Sequence, residues 1–204
     1  IFNAIWALKQ EKIIREDSGD GGAYSFIHSS ARDILYEDIP ETERPVLHER
    51  AGSLLENHLR SQGKDDPRRL AYHFLRSQNA PAALRHGLAA AREYSALYHP
   101  RKAIEVFMEV RRFAAAQGAV QGREIDRAIA RLHFHIGEYR VASEILRGLL
   151  GQDGRSVGDM SESERASILI EVGEASCRLG KFREGAGCFN EALRILKSGG
   201  ATPV

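Results

Sequence analysis

The spacing of apolar residues changes period twice along the first forty residues. In "IFNAIWALKQ", Ile1, Ile5 and Leu8 fall on one helical stripe with Phe2 and Trp6 beside it, which predicts a helix. "EKIIRED" is rich in β-branched residues, "SGDGG" is a turn cluster, and "AYSFIH" alternates, with Tyr24 and Phe26 on one face and Ser25 and Ile27 on the other. After His28 the period returns to that of a helix, through Ala31, Ile34, Leu35 and Tyr36. Ser29 or Ser30 is expected to cap this helix, with Asp33 three residues after Ser30.

From Pro40 onward the pattern is helical throughout. Val46, Leu47, Ala51, Leu54, Leu55 and Leu59 form a stripe, and Pro45 is compatible with it only in a first turn. "SQGKDDP" breaks the chain, "RRLAYHFLRS" begins a new helix, and "NAP" restarts it into "AALRHGLAAAREYSALY". Three stretches then resemble one another: "HPRKAIEVFMEV", "GEYRVASEILRGLL" and "GKFREGAGCFNEALRIL". Each has a helix break, an aromatic residue or Pro, then a small residue (Ala103, Ala142, Gly185) and four residues later a bulky one (Phe107, Leu146, Phe189). The helix before each break carries small residues midway: Ala90 and Ala91, Ala130, Gly173. Small residues there let two antiparallel helices approach, and the bulky ones fill the gap to the next pair. The repeat spacing is 39 and then 43 residues, with the extra length in "AAAQGAVQGRE" and "GQDGRSVGDMSES".

These stretches resemble tetratricopeptide repeats (TPR) over roughly residues 81–197. The order helix, strand, glycine turn, strand, helix before them is that of the C-terminal part of a winged helix. The whole is similar to the segment that follows the nucleotide-binding core in STAND-type bacterial signalling ATPases. The phrase that carries this resemblance is Tyr24, Phe26, His28, Tyr36, Ile39, Pro40, Arg44 and His48, with "AYHF" at 71–74. The resemblance implies a fold that is mainly α: an α-α superhelix of tetratricopeptide-like hairpins behind a small partial winged helix with a two-stranded wing. It divides the chain into a partial winged helix (1–38), connecting helices (39–80), repeats (81–197) and a linker (198–204). It also implies that His28 sits where the winged helix meets an ATPase core and senses its state. Family members often carry Asp after that histidine, where this chain has Ser29.

Net charge is +1, with 43% hydrophobic and 28% charged residues, so bulk charge gives no case for nucleic acid or an anionic membrane. Two cysteines without a paired CxxC exclude a disulfide framework and fit a reducing cytoplasm. No apolar run approaches the roughly 20 residues of a membrane span. The chain begins inside a helix without Met and ends in "SGGATPV", as expected for a piece of a longer protein.

No phosphate loop, nucleophile elbow, HExxH or paired-carboxylate signature is present, so the fragment is expected to be no enzyme, with no cofactor and no metal. The ATP site that the resemblance implies belongs upstream. His133 and His135 are two apart on a helix and point to different sides, which disfavours a shared ion. Cys177 and Cys188 read as buried or half-buried thiols. DNA contact is disfavoured by Phe2, Ile5 and Trp6 on the first helix and Asp17 and Asp20 in the wing turn; a transcription regulator whose winged helix contacts DNA is the alternative function.

In TPR hairpins the first helix lines the concave side. That places Arg85 and Arg92 in the groove from the first hairpin, Arg127, Arg131, Phe134 and His135 from the second, and Glu174 and Arg178 from the third. Arginines around an aromatic residue suit an acidic peptide or protein partner, or the parent's own ATPase or output domain. The expected role is a non-catalytic protein–protein interaction and sensor or scaffold arm of a multidomain bacterial signalling ATPase.

Overall fold

A computed structural model describes residues 2–16, 24–114, 119–151 and 160–199. The expected glycine turn with Asp17 and Asp20, the middle of both long inter-repeat insertions and most of the expected linker lie outside these residues. The chain divides into two compact units, Ile1–Leu47 and His48–Val204.

In the first unit, α1 (Phe2–Gln10) is followed by β1 (Ile14–Glu16), β2 (Tyr24–Phe26) and α2 (Ser29–Glu37). The strands pair antiparallel with Ile14 opposite Phe26 and Glu16 opposite Tyr24. Lys9 ties the helix to the hairpin through Glu16 at 2.7 Å. The expected serine cap is not formed. His28 occupies the N-cap position in extended backbone (φ −121°, ψ 128°) and makes no side-chain cap bond. The helix begins one residue earlier than a Ser29 cap requires. Both serines are therefore already helical, and neither hydroxyl can reach the first unpaired N–H groups. Asp33 instead accepts from Arg32 at 2.7 Å.

The second unit takes in the rest of α3 (Arg44–Ser61), within which the division falls, then α4 (Pro67–Phe74), α5 (Ala80–Ala96) and α6 (Pro100–Ala114). It continues with α7 (Ala119–His135), α8 (Tyr139–Leu150), α9 (Glu162–Arg178) and α10 (Phe182–Gly199). Pro45 lies in the first turn of α3, where its missing N–H removes no helical bond. Three helix starts are capped as local sequence dictates. Asp66 accepts from the Arg69 N–H, Asn79 from Ala82 and Ser161 from Glu164, each at 3.1 Å. Such a cap stabilises a helix by about 1 kcal/mol.

The three predicted hairpins are α5–α6, α7–α8 and α9–α10, and each helix from α4 to α10 packs on the next in the chain. The small positions are where the backbones approach: Ala90, Ala91, Ala103, Ala130 and Ala142 are fully buried. At Gly173 a Cβ would stand 2.6 Å from the Phe189 ring, so only glycine lets α10 seat that ring against α9. Two cores result. One joins α3 to α7 around Leu70, Phe74, Phe107, Val110 and Ile125; the other joins α7 to α10 around Leu146, Ile168, Val172 and Ala192. α7 serves both, giving Ile129 and Leu132 to the first and Ala130 to the second. Among the described residues no helix is long and apolar enough to cross a membrane.

Candidate functional site

Side chains from α5, α7 and α9 form two successive grooves. The first, between α5 and α7, holds a cavity of about 720 Å³. Its walls are Leu88 from α5 and Ile125, Ala128, Leu132 and Ile136 from α7 and its C-terminal turn, with Phe107 of α6 at the bottom. Arg92 and Arg131 supply its cationic groups, His135 an imidazole, Glu124 its acid, and Tyr98 its exposed rim. The second groove, between α7 and α9, keeps only about 210 Å³, lined by Arg131, Phe134, His135, Leu146, Glu171 and Glu174 among others.

The second groove is small because it is stitched. Arg127 binds both oxygens of Glu171, with Nε–Oε2 at 3.0 Å and Nη2–Oε1 at 2.9 Å, and also reaches Ser167 Oγ. Arg131 adds a second guanidinium to the same carboxylate at 2.6 Å. Arg127 and Glu171 are 18% and 19% exposed, so their attraction is poorly screened. Arg131 is 57% exposed and keeps unsatisfied donor capacity on its solvent side.

The structure brings five of the predicted groove residues to these cavities: Arg92, Arg131, Phe134, His135 and Glu174. Phe134 also packs edge-to-face on Tyr139 at 5.1 Å. Arg127 lies on the same face of α7, but its guanidinium is occupied within the chain. Arg85 turns to α3, where it meets Glu56 at 2.8 Å. Arg178 is exposed in the last turn of α9. In the first unit, His28 is exposed, and its ring makes no hydrogen bond among the described residues. His133 is bound to Glu138 at 2.6 Å across the α7–α8 turn, and no cluster among the described residues could hold a metal ion. Cys177 and Cys188 are half-buried thiols, and burial raises the pKa of Cys188.

Three features were missed in the sequence. Glu171 is the anion that closes the second groove. Tyr98 takes the left-handed backbone (φ 57°) at the turn after α5, where the corresponding turns after α7 and α9 use Gly137 and Gly180. The third is a histidine pair, His48 and His73, whose Nδ1 atoms stand 3.2 Å apart between α3 and α4. Its two members had served as landmarks of the resemblance without any sign that they touch. The tyrosine was findable, because aligning "LYHP" with "IGEY" and "LGKF" sets it opposite two glycines.

No protein-family model matches the chain, and no curated protein matches it. Solved structures do. Nearly identical TPR-like repeats from Podosopora anserina superpose with a TM-score of 0.57 at 14% identity, covering 85% of this chain and 86% of that one. BtubC (BKLC) from P. vanneervenii gives 0.50 at 16% identity, over 86% and 89% of the two chains. The TPR domain of Arabidopsis FLU gives 0.48 at 13%, over 58% and 98%. The first two likenesses give the chain a TPR-like repeat fold.

Proposed function

We propose that this chain is a non-catalytic protein-interaction arm that holds a partner's acidic segment in the α5–α7 groove. The observation that carries this reading is Arg92. It lines an apolar cavity and makes no ion pair among the described residues, beside Arg131 and His135. A groove with apolar walls and a few convergent cationic groups is a recognition surface. The parent is a bacterial signalling ATPase of the STAND type, in whose cytoplasmic chain the first unit is the end of a winged helix and His28 faces the ATPase core. The paired strands between α1 and α2 support that assignment. Coupling between groove and core needs only about 1–3 kcal/mol of differential contact.

The test is capture of partners from the source cell's lysate by the wild-type fragment beside Arg92→Glu, with helicity checked by circular dichroism. A partner held by the wild type and lost by the variant supports the groove. Equal capture, or none, removes it. The ATPase context is tested by the upstream coding sequence: without a phosphate loop there, that assignment falls.

A further inference from the structure

The two grooves are the same piece of structure one repeat apart. Aligning the turns at Tyr98, Gly137 and Gly180 sets Leu88 and Arg92 of α5 on Arg127 and Arg131 of α7, and Ala128 of α7 on Glu171 of α9. In the second groove Glu171 is the anion that both arginines grip. In the first groove one arginine is kept as Arg92, the other is replaced by Leu88, and the anion is replaced by Ala128; all three line the cavity. The first groove therefore has the cation and an apolar pocket, and lacks the carboxylate.

Tyr98 points the same way. A left-handed φ disfavours a bulky side chain, and glycine fills the equivalent turns after α7 and α9. Tyr98 is 91% exposed, so packing does not account for it, and it stands on the cavity rim. Glu124 and His135, both on α7, line the same cavity. Eleven residues of helix separate them by about 17 Å, the length of roughly five extended residues. That is the footprint of a peptide.

We infer that the α5–α7 groove recognises an extended segment of a partner protein in which an apolar residue adjoins an Asp or Glu. The inference rests on the reading that this groove binds a partner. The carboxylate takes on Arg92 the place that Glu171 takes on Arg131. The apolar side chain enters between Leu88, Phe107 and Ile125, and the Tyr98 ring closes over it. Glu124, two turns of α7 before Arg131, repels a second acid at the far end and so orients the segment.

The test uses two fluorescein-labelled libraries of blocked heptapeptides with central Leu-Glu or Leu-Gln and random uncharged flanks, read by fluorescence anisotropy. Wild type should favour the Leu-Glu library about tenfold, the worth of one charge-assisted contact. Arg92→Gln should erase that preference. Ala128→Glu, which supplies an in-chain anion, should weaken Leu-Glu binding about tenfold without loss of helicity. Tyr98→Gly should weaken binding of both libraries several-fold while raising Tm by about 2–4 °C, a combination that a merely structural tyrosine cannot give. Equal affinity for the two libraries, or a preference that survives Arg92→Gln, overturns the inference. Loss of the lysate partner in Arg92→Glu with neither library bound also overturns it, while leaving the groove itself standing. A Leu-Glu preference with lysate capture insensitive to Arg92→Glu does the reverse.

Discussion

The grooves on either side of α7 are built from one repeat, yet one is stitched shut and the other open. Between α7 and α9, Glu171 draws in two arginines and leaves about 210 Å³. Between α5 and α7, alanine stands at the position of Glu171 and about 720 Å³ remains. Small residues stand at the same contact position in all three hairpins, alanine in the first two (Ala91, Ala130) and glycine in the third (Gly173), so the hairpins share one plan and the carboxylate distinguishes the grooves. In such a repeat the geometry is shared, and function is to be sought where one repeat departs from the next. The stitched groove ties α9 to α7 through ion pairs; the open one sets Arg92, without an ion pair among the described residues, beside apolar walls.

The largest expected effects lie beneath the grooves. Phe107 and Leu146 occupy the same place in successive hairpins, and each lines its groove's cavity while only 5% and 2% exposed. Phe107→Ala should destabilise the fold by about 3–5 kcal/mol and Leu146→Ala by about 2–5, in urea denaturation. A cost near zero for either would mean that the cavity wall is not core. Next comes the stitch. Glu171→Ala leaves Arg127 mostly buried without its anion, for a loss of about 1–3 kcal/mol. It should also turn the second groove into a likeness of the first, with Arg131 newly available to acidic peptides. If stability is unchanged in Glu171→Ala, the ion pair is ornamental and the contrast between the grooves loses its cause.

The turns give a third test, with effects of opposite sign. Gly180→Ala places a Cβ at φ 76° and should destabilise by about 1 kcal/mol. Tyr98→Gly at the equivalent turn should stabilise by about as much. Should both substitutions destabilise, the tyrosine is held by contacts and is not strained.

The hairpins were legible because their signals are local and periodic: a break, a small residue, then a bulky one four positions later. The face of α7 was legible too, since Arg127 and Arg131 are four apart. What the spacing could not reveal is which cation the fold neutralises. Glu171 lies 44 residues from Arg127, and only the packing of α9 beside α7 brings the two together. Arg85 is a second case, because its partner Glu56 comes from a helix 29 residues earlier. The missing serine cap is a shift of one residue in where a helix begins, a detail that apolar periodicity does not encode.

The smallest effect lies away from both grooves, and it tests whether they are independent of the rest of their unit. His48 of α3 and His73 of α4 share one hydrogen bond, Nδ1 to Nδ1 at 3.2 Å, with Tyr72 set edge-on to His48 and Arg76 over the Tyr72 ring. Burial lowers the pKa of both imidazoles. His73 and Arg76 add to the effect on His48, and Arg69 and Arg76 to that on His73. His86 is lowered by burial and by Arg85, against the opposing pull of Glu56 and Asp65. A lowered pKa means that the unfolded chain takes up protons first. The stability from these neutral rings is therefore complete above the ordinary value of 6.5 and drains away as pH falls from there through the lowered values. Protonating one ring keeps the shared bond but sets a cation beside Arg76; protonating both leaves no acceptor. Thermal unfolding should accordingly show Tm declining gently from pH 7 to 5, and His48→Gln/His73→Gln should flatten that decline without altering the Leu-Glu preference of the α5–α7 groove. An unchanged slope in the double variant would assign the acid sensitivity elsewhere. A lost peptide preference would mean that the α3–α4 contact shapes the groove, and that the two regions are one device.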